Sequence, residues 1–235
     1  MENSEFWKNH WNSTARENND IRFIDGLGNR SFQEMLFSIT DISKKLQLSP
    51  DNIFLDIGCG AGLFEIAFTN YVREIYGIDY SKDMAIKAKS FTQQYSNVKI
   101  SVGNMLDLPF QNANFDRILA HSTFQYLNSM NEVKIALNEI KRVAKRNAII
   151  CLFLMPDNET KNDYLNGYYK LSLSDIELQK KIEATNKVMW YDKTQLIKII
   201  ETMGFSVVRI GKPVIPFQSK YYFNVTLCND NLEKC

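Results

Sequence analysis

The chain has 235 residues, enough for one domain with a sizeable core and a small cap or insertion. With 45% hydrophobic and 23% charged residues it is not a disordered chain. Its 28 Lys+Arg against 27 Asp+Glu leave a net charge of +1, which gives no electrostatic reason to expect nucleic acid or an anionic membrane as a partner.

The N-terminal stretch MENSEFWKNHWNSTAREN is polar and lacks the apolar core of a signal peptide. Residues 1–48 read as helices outside the alternating pattern that follows. Their aromatics (Phe6, Trp7, Trp11) suit either a cap over a pocket or a face packed on a sheet, and His10 reads as a surface or cap residue. Asn52–Ile57 is a short apolar run bounded by Pro50 and a glycine cluster, as expected of a buried strand. AGLFEIAFTNYV has helical spacing, and Glu74–Asp79 is the second strand. Ser81 is placed to cap a helix running to about Gln94. NVKISVG and Phe115–His121 are the third and fourth strands. NEVKIALNEIKRVAKR is an amphipathic helix with late cations, and NAIICLFLM is the fifth strand.

Strands alternating with single helices imply parallel crossovers and a sheet covered on both faces. The pattern loosens in the tyrosine-rich segment 156–190. DKTQLIKIIETMGF then reads as a helix closed by Gly204. A strand at Ser206–Ile210 and a last run, KYYFNVTLC, suit an antiparallel pair at a sheet edge. The longest apolar run has eight residues (Ala148–Met155), far short of the roughly 20 that span a bilayer. The four cysteines form no CxxC pair, which favours reduced thiols and a cytoplasmic chain without an integral membrane segment.

The chemistry concentrates at LDIGCGAG (Leu55–Gly62), three glycines at alternate positions after a strand. A strand-to-helix turn alone rarely needs three. In a doubly wound sheet this is the carboxyl end of a strand, where ligands bind. A dinucleotide loop would read GxGxxG, yet Leu63 stands where its third glycine belongs, and the Asp56 carboxylate would oppose a pyrophosphate. Asp79, ending the second strand, can accept hydrogen bonds from a ribose diol. A phosphate-free adenosine with a cationic amino-acid tail, S-adenosylmethionine, fits both features.

The sequence resembles class I S-adenosylmethionine-dependent methyltransferases, in the subgroup of quinone-biosynthesis and natural-product enzymes. The likeness rests on Asp56-x-Gly58-x-Gly60-x-Gly62, GIDYSKDM (Gly77–Met84), GNMLDLPF (Gly103–Phe110), FDRILAHSTFQYL (Phe115–Leu127) and ALNEIKRVAKRNA (Ala136–Ala148) in order. It implies a Rossmann-like α/β sheet of about seven strands, mostly parallel with an antiparallel edge strand. It also implies one domain over residues 49–235 with a substrate-side insertion at 156–190, and a helical cap over 1–48. Gly58, Cys59, Gly60 and Gly62 would face the methionine portion of the cofactor, with Asp56 near its ammonium. Asp79 would hold the ribose, Tyr80 and Met84 would lie against adenine or ribose, and Asn104 and Met105 would meet the adenine edge. His121 would face the methionine tail or the acceptor, as general base or as pocket lining. The family often has aspartate where Asn104 stands, and AKRNA replaces its usual Lys-Pro-Gly-Gly turn.

The resemblance further implies transfer of a methyl group to a small-molecule acceptor, with S-adenosylhomocysteine as product, by a monomer or homodimer that does not bind nucleic acid. AHSTFQYL lacks the Asn/Asp-Pro-Pro-aromatic pattern of enzymes that methylate a flipped base. Phe124, Tyr126, Tyr164, Tyr168, Tyr169, Trp190 and Tyr191 are candidates for an acceptor pocket or for the core. The carboxylates of PDNE (Pro156–Glu159) have no further ligands at metal-binding spacing, so no metal is expected. The rival functions are an NAD-dependent oxidoreductase and a cofactor-binding partner protein without turnover. Asp79→Ala is expected to weaken cofactor affinity with little loss of fold.

Overall fold

Backbone pairing orders seven strands as β3-β2-β1-β4-β5-β7-β6 in a computed structural model that describes residues 2–21 and 31–230. Residues 22–30 of the expected cap, and Cys235, lie outside the described residues. The strands are β1 (Ile53–Ile57), β2 (Glu74–Asp79), β3 (Val98–Val102), β4 (Phe115–His121), β5 (Ala144–Pro156), β6 (Ser206–Gly211) and β7 (Tyr222–Cys228). The first five are mutually parallel. The antiparallel strand is β7, which pairs with β5 on one side and β6 on the other, so the reversed strand lies one place in from the edge.

The helices are α1 (Glu2–Glu17), α2 (Phe32–Leu46), α3 (Leu63–Phe68), α4 (Lys82–Thr92), α5 (Met130–Val143), α6 (Lys161–Tyr168), α7 (Asp175–Lys187), α8 (Lys193–Thr202) and α9 (Pro216–Tyr221). Apolar residues of α2 and α3, among them Ile42, Leu46, Phe64 and Phe68, bury one face of the sheet. Val133, Leu137 and Ile140 of α5 and Leu196 and Ile200 of α8 bury the other. Helices on both faces make the sheet doubly wound. Its strand order reverses between β1 and β4, which opens a crevice at their carboxyl ends.

Local chemistry sets most boundaries. The Ser81 hydroxyl accepts the Met84 N–H at 3.1 Å, the expected cap of α4, and Asp192 caps α8 through the Gln195 N–H. Gly204 ends α8 at φ +79°. Two boundaries differ from expectation. α3 has six residues rather than a full amphipathic span, because its chain turns back after Phe68 to enter β2. β5 begins at Ala144, directly after α5, and absorbs the AKRNA turn as a bulge whose Asn147 takes φ +62°. Asparagine tolerates that left-handed conformation, so it does the work of a glycine there.

The expectation of reduced thiols holds for Cys59 and Cys151, which are free and buried. It fails for Cys228, which is disulfide-bonded. The lack of a CxxC motif bears on closely spaced redox pairs and not on cysteines further apart. Among the described residues no helix is long and apolar enough to cross a membrane.

Candidate functional site

The glycine loop between β1 and α3 forms the floor of a cavity of about 180 Å³. Gly58 and Cys59 both donate their N–H groups to the Ile78 carbonyl, at 2.8 and 2.9 Å, which folds the loop back over the end of β2. Gly58 has φ +77°, and a Cβ there would stand 2.4 Å from Thr123 Oγ1. Thr123 is fixed in turn, its hydroxyl lying 3.0 Å from the carbonyls of both Ile57 and His121. Gly60, at φ +54°, is different: nothing lies within 4 Å of where its Cβ would be. Its bare peptide opens on the cavity. Gly62 caps α3 at φ +91° and packs on Ala88 and Thr92 of α4.

Asp79 ties this loop to the next. One of its carboxylate oxygens accepts the Gly60 N–H at 2.9 Å and the other accepts the Ser81 N–H at 2.8 Å. Burial raises its pKa to about 6, and the two backbone donors pull in the opposite direction. Each oxygen keeps a lone pair, and the residue borders the cavity.

Of the eleven residues singled out from the sequence, nine border this one cavity: Gly58, Cys59, Gly60, Asp79, Tyr80, Met84, Asn104, Met105 and His121. Asp56 and Gly62 do not. Asp56 is 1% exposed and lies beneath the loop, and its two oxygens have no hydrogen-bond partner. The Asn104 side chain differs from expectation too. Its Oδ1 accepts the Leu106 N–H at 3.0 Å, so this oxygen already closes a local turn. Cys59 is buried and its thiol is pushed well up, first by burial and then by the carboxyl groups around it, so it holds its proton. His121 ends β4 with its ring 5.0 Å from that of Phe64, edge to face.

The wall that sequence reasoning left undecided is α1. Ser4, Trp7, Lys8 and Trp11 border the cavity. Trp7 packs against Tyr126 with ring centroids 4.6 Å apart, and Lys8 Nζ lies 5.2 Å from the Tyr80 ring. The helix is pinned at both ends. Asn12 Oδ1 accepts the Ser81 hydroxyl at 2.6 Å, and Arg16 pairs with Asp83 at 2.6 Å. Asn3 Nδ2 and Trp7 Nε1 donate to the Lys187 carbonyl, at 3.1 and 3.5 Å. α2, by contrast, packs on the sheet.

The aromatic candidates separate. Tyr126 borders the cavity. Phe124 and Tyr191 are core, and the Tyr191 hydroxyl donates to the Phe124 carbonyl at 2.6 Å. Tyr164, Tyr168 and Trp190 cluster with Tyr221 and Phe217, and Tyr169 is exposed. No residue of 156–190 borders the cavity; the segment reaches it indirectly, through the Lys187 carbonyl under α1. Asp157 of the PDNE stretch pairs with Lys193 at 3.0 Å. Among the described residues no group of three or more potential metal ligands gathers. Thr123 and Glu65 went unnoticed, because a threonine behind a glycine and an acid on an apolar helix face carry no local signal.

Residues 55–152 match the family model of the methyltransferase domain. The chain is 30% identical over 132 residues to YcgJ, an uncharacterized methyltransferase of Bacillus subtilis (strain 168), a match covering 54% of this chain and 51% of that protein. It is 34% identical over 103 residues to the demethylmenaquinone methyltransferase of Staphylococcus aureus (strain JH9), covering 42% of this chain and 41% of that one. These matches span about half the length of the curated relatives or less. The phosphoethanolamine N-methyltransferase 1 of Haemonchus contortus, solved with phosphoethanolamine and S-adenosylhomocysteine, superposes with a TM-score of 0.76 at 15% identity over 96% of this chain and 48% of that one. At that identity the likeness is one of fold.

Proposed function

We propose that this chain is a class I S-adenosylmethionine-dependent methyltransferase, and that it moves a methyl group from that cofactor to a small-molecule acceptor by in-line displacement. The observation that carries the proposal is the bare peptide at Gly60, open to the cavity beside the Asp79 carboxylate. A phosphate-free nucleoside with an amino-acid tail fits that pairing: the cradle has room where a Cβ would stand, and the carboxylate has lone pairs left for a diol.

When bound, S-adenosylmethionine supplies a methyl group on a sulfonium leaving group. Asp79 would hold the ribose hydroxyls, and Tyr80, Met84 and Met105 would offer apolar surface to the adenosine. Asn104, with its Oδ1 engaged, would meet the adenine edge through its remaining amide groups. The peptide of Gly58–Gly60 would lie along the methionine portion. Trp7, Trp11 and Tyr126 roof the cavity and would exclude water. Holding an acceptor in line contributes roughly 7–11 kcal/mol in favourable cases, so positioning is the main task of the protein. We assign His121 as the group that takes the proton of a hydroxyl or carbon acceptor.

The small-molecule acceptor is supported by the demethylmenaquinone and phosphoethanolamine relatives, both named for small substrates. Calorimetry should detect binding of S-adenosylhomocysteine and none of NAD. Labelled cofactor should then pass its methyl group to a component of a small-molecule extract, and His121→Ala should slow that transfer about 100-fold or more. Absence of binding to S-adenosylhomocysteine would reject the cofactor, and binding without any transfer would favour a partner protein without turnover.

A further inference from the structure

Two carboxyl groups, those of Asp56 and Glu65, are buried beneath the glycine loop, and Glu65 has no part in the function proposed above. Glu65 stands on α3, is fully buried, and has no hydrogen-bond partner on either oxygen. Its place is set by a missing side chain. A Cβ on Gly77 would lie 2.6 Å from Glu65 Oε1. Gly77 pairs in register with Asp56 across β1 and β2. In-register side chains on neighbouring strands share a face, with Cβ atoms about 5 Å apart. The Glu65 carboxyl therefore fills the space beside the Asp56 side chain, and all four oxygens of the two groups are buried and unpartnered.

Such a pair does not carry two negative charges out of water. Asp79, on β2, is itself acidic, and the Cys59 Cβ lies 3.1 Å from the same point. α4 brings Ala88 and Thr92 to the loop, both uncharged, and the His121 ring lies 5.0 Å from that of Phe64 at the cavity wall. Among the described residues no Lys or Arg pairs with Asp56, Glu65 or Asp79. We infer that Asp56 and Glu65 share a proton at neutral pH, and that Glu65 is a positioning residue that holds a single negative charge, instead of two, beneath the glycine loop. Burial, the larger cause, raises both groups; the Asp79 charge adds to it at Asp56, and the Asp56 charge at Glu65, in keeping with this geometry.

The test uses the full chain without cofactor, so failure of the proposed methyl transfer leaves it unaffected. Infrared spectra at pH 7.5, above the titration of Asp79, should show the carbonyl stretch of a buried protonated carboxyl group. Glu65→Gln and Asp56→Asn should each abolish it, since the remaining acid then ionises and accepts from the new amide. The unfolding constant of the wild type should rise about tenfold per pH unit for the proton held by the native state alone, and Glu65→Gln should remove that slope. Gly77→Ala should expel the Glu65 carboxyl and lose the band as well. A wild-type spectrum without the band overturns the inference whether or not the variants fold. So does a band that survives both acid substitutions.

Discussion

Replacing Gly58 and Gly60 separately by alanine distinguishes the two tasks of the loop. Both have positive φ, so each alanine pays roughly 1–2 kcal/mol for a left-handed backbone, offset by about 0.4–1 kcal/mol from a stiffer unfolded chain. At Gly58 the new Cβ also meets Thr123 Oγ1 at 2.4 Å and Cγ2 at 2.6 Å. Thr123 must rotate, and its hydroxyl leaves the carbonyls of Ile57 and His121, at about 1 kcal/mol for each contact. Gly58→Ala should therefore destabilise by about 3 kcal/mol. Gly60→Ala should cost only about 1 kcal/mol in stability, because its Cβ enters open space. That space is the proposed cofactor cradle, so the same variant should weaken S-adenosylhomocysteine binding about tenfold or more, near 1.4 kcal/mol. Urea unfolding and calorimetry measure the two effects. Thr123→Ala in the Gly58→Ala background should relieve the clash, with a coupling energy of about 1–2 kcal/mol in a double-mutant cycle. The reasoning fails if Gly60→Ala unfolds as readily as Gly58→Ala while binding the ligand like wild type.

The pKa of Asp79, raised to about 6, makes binding pH-dependent. If the ionised form accepts the ribose hydroxyls, affinity for S-adenosylhomocysteine should fall about tenfold from pH 7 to pH 5, as titration calorimetry would show. The stability sign is opposite. The native state keeps this proton where the unfolded chain has lost it, so the contribution of Asp79 is full below about pH 4 and declines as pH rises through about 6. Because Asp79 holds the N–H groups of Gly60 and Ser81, Asp79→Ala should cost stability of about 2 kcal/mol or more as well as affinity, contrary to the sequence expectation. Trp7→Ala should release α1 from Tyr126 and Lys187, seen as faster amide exchange over Glu2–Glu17 with little change in the sheet. In a thermal-shift comparison S-adenosylhomocysteine should raise the melting temperature, and stabilisation by NAD alone would refute the cofactor assignment.

The alternation of strands and helices, the caps at Ser81 and Asp192 and the glycines at alternate positions are local signals, and hydrophobic period and turn chemistry suffice to place them. From them came the doubly wound sheet and its carboxyl-end crevice, with Gly58, Gly60 and Asp79 upon it, whereas Tyr80, Met84, Asn104 and Met105 were implied by the family resemblance. What the chain order does not encode is which distant atoms meet. Only the folded molecule sets Thr123 behind Gly58, brings α1 over the cavity while α2 goes to the sheet, and leaves 156–190 away from the cavity wall. Likewise only it buries Asp56 beside Glu65, across the gap at Gly77, because the register of β1 on β2 and the packing of α3 are set by the whole core and by no single segment.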